Sequence, residues 1–141
     1  MLQHRRYFFK KDEHLCLRNE IQDVVDNGAK FLAYPFLINY VIKDAKCSEK
    51  TKIAISVAKR NFKKAVDRNL LKRRIREAYR QHKHNLLFVA NEKNKSLNII
   101  IIYVSKEKLQ YKDIEKGTIK SLETLAKNIE KSSDISVDII D

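Results

Sequence analysis

Apolar residues recur along this chain with two different periods, and the changes of period mark out its elements. From Leu15 to Asn27, the residues Leu15, Leu17, Ile21, Val24 and Val25 make a rough helical stripe. The stripe stops at Gly28, a residue suited to closing a helix. From Pro35 to Lys43 the chain becomes an apolar run rich in β-branched and aromatic residues, which predicts a strand. Asp44–Lys50 is polar and reads as a turn. Lys52 to Val57 then alternates, with Ile53, Ile55 and Val57 on one face, the pattern of a half-buried strand.

Phe62 to about Phe88 is the longest helical candidate and contains neither glycine nor proline. Asn91–Ser96 predicts a loop. Leu97–Val104 is too short for an ordinary helix and rich in β-branched residues, so it predicts a central strand buried on both faces. Tyr111–Lys131 predicts a closing helix, with Ile114, Thr118, Leu122, Leu125 and Ile129 near helical spacing. The reading is one α/β domain over residues 13–131, in the order α-β-β-α-β-α. A basic, aromatic arm over residues 1–12 precedes it. An acidic tail over residues 132–141 follows, and its pattern leaves disorder and a short edge strand both open.

Composition narrows the function. The 141 residues suffice for one core and are short for two. Lys and Arg number 30 against 18 Asp and Glu, a formal net charge of +12, which a polyanionic partner would relieve. Nucleic acid is the first candidate and an anionic membrane the second. Cys16 and Cys47 stand alone and outside any C-x-x-C spacing, so neither a zinc site nor a disulfide framework is expected. The longest apolar run, Ile99–Val104, is far too short to span a bilayer, and the first residues lack the apolar stretch of a signal peptide. A soluble, cytoplasmic protein is expected.

The charge is concentrated. Between Lys59 and Arg80, ten basic residues stand against two acidic ones, leaving +8 within 22 residues. On a helix, Asn69, Lys72, Arg73, Arg76 and Arg80 share a face, flanked by Arg68, while Leu71, Ile75 and Ala78 form a separate stripe. One helix would thus carry an apolar floor and a cationic roof, with Lys59, Arg60, Lys63 and Lys64 leading into it. Like charges four residues apart repel by a few tenths of a kcal/mol. Aligning them makes sense when phosphates supply the counter-charge. Arg grips phosphate oxygens with a planar fork, and Lys acts as a point charge. The helix and strand order fits no helix-turn-helix, zinc finger or basic zipper. The strand bearing Phe36, Ile38 and Tyr40 offers aromatic groups on one face for stacking with unpaired bases, although aromatics in a strand are more often plain core.

The stretch SVAKRNFKKAVDRNLLKRRIREAYR, Ser56–Arg80, closely resembles the signature of the bacterial ribonuclease P protein family. That pattern runs V-[SA]-K-[KR], a short basic segment, then A-V-x-R-N-x-x-K-R-x-x-R-E. Val57, Lys59, Arg60, Ala65, Val66, Arg68, Asn69, Lys72, Arg73, Arg76 and Glu77 meet it here. The resemblance extends from Leu15 to about Lys131. It implies a small two-layer α/β (α+β) sandwich with a left-handed β-α-β crossover. It also implies binding of a large catalytic RNA through the basic helix, and of the 5′ leader of precursor transfer RNA in a cleft between the first helix and the sheet. On that reading Ile21, Val25, Phe36 and Tyr40 are the leader-cleft candidates. The resemblance further implies that the RNA performs a magnesium-assisted hydrolysis, that the protein alone holds no metal or cofactor, and that no protein partner is required. Three features depart from the family's pattern. Ile21 and Val25 stand where aromatics are common, Phe62-Lys63-Lys64 stands where a glycine is frequent, and the tail after Ser132 has no counterpart.

A protein nuclease acting by itself would need its own acid, base or metal cage. His82 and His84 are two apart, on different faces of a continuing helix, and no H-E-x-x-H or Ser-His-Asp pattern is present, so no catalytic residue is expected. The alternative is a ribosomal-type or chaperone RNA-binding protein without an associated enzyme. It would explain the charge and the fold class but not the Ala65-to-Glu77 spacing. A membrane-surface helix would need its broad apolar face for lipid, and here that face is required by the core.

Overall fold

The computed structural model describes residues 14–15, 18–44 and 50–140, with side chains as far as Lys131. The arm expected over residues 1–12, together with Cys16 and Cys47, lies outside the described residues. In chain order the elements are α1 (Arg18–Asn27), β1 (Ala29–Ala33), β2 (Phe36–Asp44), β3 (Lys52–Val57), α2 (Ala65–His82), α3 (His84–Glu92), β4 (Lys95–Tyr103) and α4 (Tyr111–Ile140). The expected order is present, with one strand and one helical break added to it.

Four strands make one sheet in the order β1-β2-β4-β3. β1 and β2 form an antiparallel hairpin around Tyr34-Pro35, and β2 pairs antiparallel with β4, Ile38 opposite Ile101 and Tyr40 opposite Ile99. β3 runs parallel to β4, with Ile53 opposite Ile99. Parallel neighbours need a long connection, and α2 and α3 supply it. β4 is central and buried along almost its whole length, as its unbroken apolar run predicts.

Alternation along the strands divides the residues between two faces. Phe36, Ile38, Tyr40, Ile53, Val57, Leu97, Ile99, Ile101 and Tyr103 join the main core with Leu71, Ile75, Ala78 and Tyr79 of α2, Leu86 of α3, and Ile114, Leu122, Leu125 and Ile129 of α4. This sheet and its three helices are the two-layer sandwich. On the other face α1 crosses alone. Val24 packs there with Leu15 and Ile100, joined by Ile21, Val41, Ala54 and Ile102. Glu20 ties α1 across the sheet, 3.3 Å from Lys52 Nζ on β3 and 4.0 Å from Lys43 Nζ on β2.

Three local features refine the expected elements. α1 does end before Gly28, whose N–H donates to Val24 O at 2.9 Å, but no glycine here adopts a positive φ. The glycine is needed for space, since a Cβ would stand 2.3 Å from Val24 O and 2.9 Å from Tyr40 O. The single helix expected over Phe62–Phe88 instead begins at Ala65 and breaks at Lys83, which stays in the right-handed helical region at φ −72° and ψ −18°. The bend lets Leu71 and Ile75 reach the sheet from α2 while Leu86 and Ala90 bury from α3. The segment 132–140 is neither disordered nor a strand: it continues α4 to Ile140. No glycine or proline after Gly117 interrupts that helix.

Candidate nucleic-acid interface

α2 places its apolar stripe inward with Leu71, Ile75 and Ala78 fully buried, so helical geometry turns Asn69, Arg73 and Arg76 to solvent. Val66, 76% exposed, shares that outer face. Lys72 is half-buried on its flank. Lys59, Arg60, Lys63 and Lys64 are all exposed on the segment between β3 and α2. Lys64 is the N-cap, in extended conformation at φ −82° and ψ 129°, and no side chain caps the helix. The first-turn N–H groups and the positive end of the helix dipole therefore add to the field of the lysines. A phosphate at this end of α2 would meet backbone donors and ammonium groups together.

Two of the predicted roof residues are engaged within the protein. Arg68 turns back, its Nη1 donating to Phe62 O at 2.7 Å and to Lys63 O at 3.0 Å. It fixes the segment that carries Lys63 and Lys64, while Phe62 beneath it packs on Tyr103 with ring centroids 5.9 Å apart. Arg80 is clasped by Glu77, Nε donating to Oε2 at 3.0 Å and Nη2 to Oε1. Gln81 Nε2 also donates to Glu77, at 2.8 Å. The Arg80 hydrogen bond, then that of Gln81, holds the Glu77 carboxyl below its ordinary value. A lowered carboxyl keeps the pair intact above the usual carboxylate range and loses it only as pH falls through the lowered value. At neutral pH Arg80 is thus partly neutralised. Glu77→Gln removes the carboxylate that partly neutralises it and is expected to steepen the dependence of log K on log salt for RNA binding by roughly 0.7–0.9. Titrations at a series of salt concentrations test this, and an unchanged slope would remove Arg80 from the interface.

The leader-cleft candidates do not come together. Ile21 is half-buried and Val25 is 48% exposed, both on α1. Phe36 and Tyr40 lie on the opposite face of the sheet, 1% and 9% exposed, in the main core. Tyr40 is held there by an edge-to-face contact with Phe31 at 5.8 Å and by Asn128 Nδ2, which donates to its hydroxyl at 2.8 Å. The residues of β2 that share a face with α1 are Leu37, Asn39 and Val41. From the neighbouring strands Asn98, Ile100, Ile102, Ala54 and Ser56 join them. Asn39 and Asn98 are buried, and neither Oδ1 has a hydrogen-bond partner among the described residues. Sequence reasoning missed this set because β2 is buried on both faces, which hides its parity. The one readable signal was an asparagine in each of two otherwise apolar strands. Ser56, Ile102 and Leu37 lie toward the end of the sheet where β3 leads into Lys59 and Arg60, so the open end of this face adjoins the basic segment.

Among the described residues no group of three or more His, Cys, Asp and Glu side chains could hold a metal ion, and no helix is long and apolar enough to cross a membrane. His82, one of the two histidines near the end of the basic helix, contacts Glu115 Oε2 of α4 at 2.9 Å, joining two helices.

The sequence model of the Ribonuclease P family matches residues 9–129. The chain is 37% identical over 123 residues to the ribonuclease P protein component of Porphyromonas gingivalis, covering 87% of this chain and 90% of that one. It is 30% identical over 130 residues to that of Clostridioides difficile, covering 92% and 98%. In fold it is similar to the RNase P protein of Thermotoga maritima, with a TM-score of 0.62 and 21% identity over 79% of this chain and 96% of that one. The RNase P protein of Staphylococcus aureus gives 0.60 and 21%, over 82% and 95%.

Proposed function

The chain belongs to the ribonuclease P protein family, the protein component of a ribonucleoprotein that processes transfer RNA, and from that premise we propose how its surfaces divide the work. The outer face of α2 and the basic segment before it bind the catalytic RNA. The face between α1 and the sheet receives the single-stranded 5′ leader of precursor transfer RNA. The observation that carries this reading is the outward row Asn69, Arg73 and Arg76, flanked by Lys72. None of the four side chains has an ion-pair or hydrogen-bond partner among the described residues, and they continue into Lys59, Arg60, Lys63 and Lys64. Such a row is unfavourable until phosphates neutralise it.

The chemistry, hydrolysis of one phosphodiester to release the leader, belongs to the RNA in this proposal. Magnesium serves the ribonucleoprotein, and no step is assigned to an ion held by this chain, whose described residues offer no ligand set for one. The protein's part is to neutralise phosphate crowding near the scissile bond and to hold the leader in line. Ile21 and Val25 would contribute apolar contact to the cleft. In this reading Leu37, Asn39 and Ile102 replace Phe36 and Tyr40 as its sheet-side wall. The proposed compartment is the cytoplasm, where both RNA partners would be met.

Reconstitution tests the whole reading. The protein is mixed with a bacterial ribonuclease P RNA and precursor transfer RNA at low magnesium, where the RNA alone is slow. Accurate leader removal should require both components. Equal binding of precursor and mature transfer RNA without stimulation would leave a general RNA-binding protein, and cleavage by the protein alone would move the chemistry into this chain.

A further inference from the structure

A second recessed surface lies away from both regions, where the β1–β2 turn meets α4. This groove of about 400 Å³ is lined by Tyr34, Pro35, Leu109, Asp113, Lys116 and Lys120, within the size range of small-ligand sites. Its base is fixed, because Gly117 lets helix and turn touch: a Cβ there would stand 2.6 Å from Pro35 Cδ and 2.8 Å from Tyr34 O. Tyr34 is 62% exposed, yet its hydroxyl donates to Ser105 Oγ at 3.2 Å. A large ring left in solvent and tied at its tip is a ready stacking platform. Lys116 and Lys120 stand one helical turn apart, both exposed, and neither ammonium group has an ion pair or hydrogen bond among the described residues.

The groove is joined to the basic helix. Lys108 Nζ is 3.3 Å from Asp67 Oδ1 of α2, and Arg74 Nη1 donates to Leu109 O at 2.5 Å. The segment between β4 and α4 is thereby stitched to the flank of α2. Lys112, Lys116 and Lys120, four residues apart and all exposed, share one face of α4, and the last two line the groove beside Tyr34. A purely apolar ligand would leave the two ammonium groups unused, and a highly acidic one would be repelled by Asp113. An anion that also carries an aromatic face and hydrogen-bond donors suits the whole set.

We infer that this groove binds one unpaired nucleotide of the RNA partner, its base stacked on Tyr34 and its phosphates against Lys116 and Lys120. Asp113 accepts a hydrogen bond from the ribose 2′-hydroxyl or an exocyclic amine. The inference rests on the reading of the protein as a ribonuclease P RNA binder and gives that RNA a second, separate contact.

The test uses the full chain and a bacterial ribonuclease P RNA. Tyr34→p-benzoylphenylalanine is irradiated in the complex, and affinities are measured at several salt concentrations for Tyr34→Ala, Tyr34→Phe and the pair Lys116→Ala/Lys120→Ala. The crosslink should map to an unpaired nucleotide. Tyr34→Ala should weaken binding about ten-fold, while Tyr34→Phe, which keeps the ring, stays within about two-fold. The lysine pair should flatten the salt slope by roughly 1.4–1.8, with melting temperatures unchanged because these side chains are exposed. Wild-type affinity and slope in all groove variants, alongside a weakened Arg73→Ala/Arg76→Ala control, would overturn the groove and leave the roof standing. A crosslink found only on another protein chain would also overturn it. Failure of the unaltered protein to bind the RNA would sink both readings together.

Discussion

Phe36→Ala is expected to cost about 3–5 kcal/mol of folding stability, the range for emptying a buried aromatic position, and not to act through leader recognition. Phe36 is 1% exposed and sits edge-to-face with Tyr103 at 6.2 Å. A Cβ on Gly117 would come within 3.2 Å of its ring, so α4 closes directly over it. Its ring lines a small void with Ile38, Tyr79, Ile101 and Leu122, so truncation would enlarge a space that is already unfilled. The melting temperature should drop by roughly 10–15 °C. Discrimination between precursor and mature transfer RNA, measured where the variant is still folded, should survive. The reverse pattern, normal melting with lost leader preference, would return Phe36 to the cleft and contradict its packing. Phe36→Leu, which fills most of the space, should recover most of the stability.

The contrast between the two faces of β2 shows where sequence reasoning reaches its limit. Leu97–Val104 was readable as a central strand because an apolar run of that length needs cover on both sides. The same property makes parity unreadable. Nothing local in FLINYVIKD tells whether Phe36, Ile38 and Tyr40 or Leu37, Asn39 and Val41 face α1, and only the packing of the helices decides. β1 escaped notice for a different reason. AKFLA is an edge strand with most positions exposed, so its pairing with β2 defines it and its own pattern does not.

The roof was legible because a helix separates its faces by spacing alone: Leu71, Ile75 and Ala78 are buried where Asn69, Arg73 and Arg76 are exposed. Partnerships within the roof were only half legible. Arg80 with Glu77 is an i,i+3 pair that spacing could have flagged. Arg68 could not be foreseen, since its partners are the carbonyls of Phe62 and Lys63, which come within reach only after the chain turns out of β3 into α2. Nor did spacing indicate the groove beside Tyr34, because it joins a hairpin turn to a helix some 80 residues later.

Those partnerships sort the arginines by expected effect, and the largest effect on RNA binding belongs to the unpaired ones. The triple variant Lys72→Ala/Arg73→Ala/Arg76→Ala should lose about a hundred-fold in affinity for ribonuclease P RNA at moderate salt. Its log–log salt slope should fall by roughly 2–2.7, at 0.7–0.9 per phosphate contact. Arg73 and Arg76 are exposed, Lys72 is only half-buried, and alanine is the best helix former, so stability should stay within about 1 kcal/mol. On the proposed reading, cleavage at low magnesium should fall with affinity, and excess protein should restore occupancy while leaving a slower rate, because the variant no longer neutralises phosphates near the scissile bond. Arg68→Ala should behave differently. Loss of its bonds to two backbone carbonyls should destabilise the protein by about 1–3 kcal/mol and loosen the segment bearing Lys63 and Lys64, so binding and melting change together. Equilibrium binding and thermal melts on both variants separate the roles. A triple variant with the wild-type salt slope would show that phosphates do not lie on α2, and the basic helix would then need another explanation.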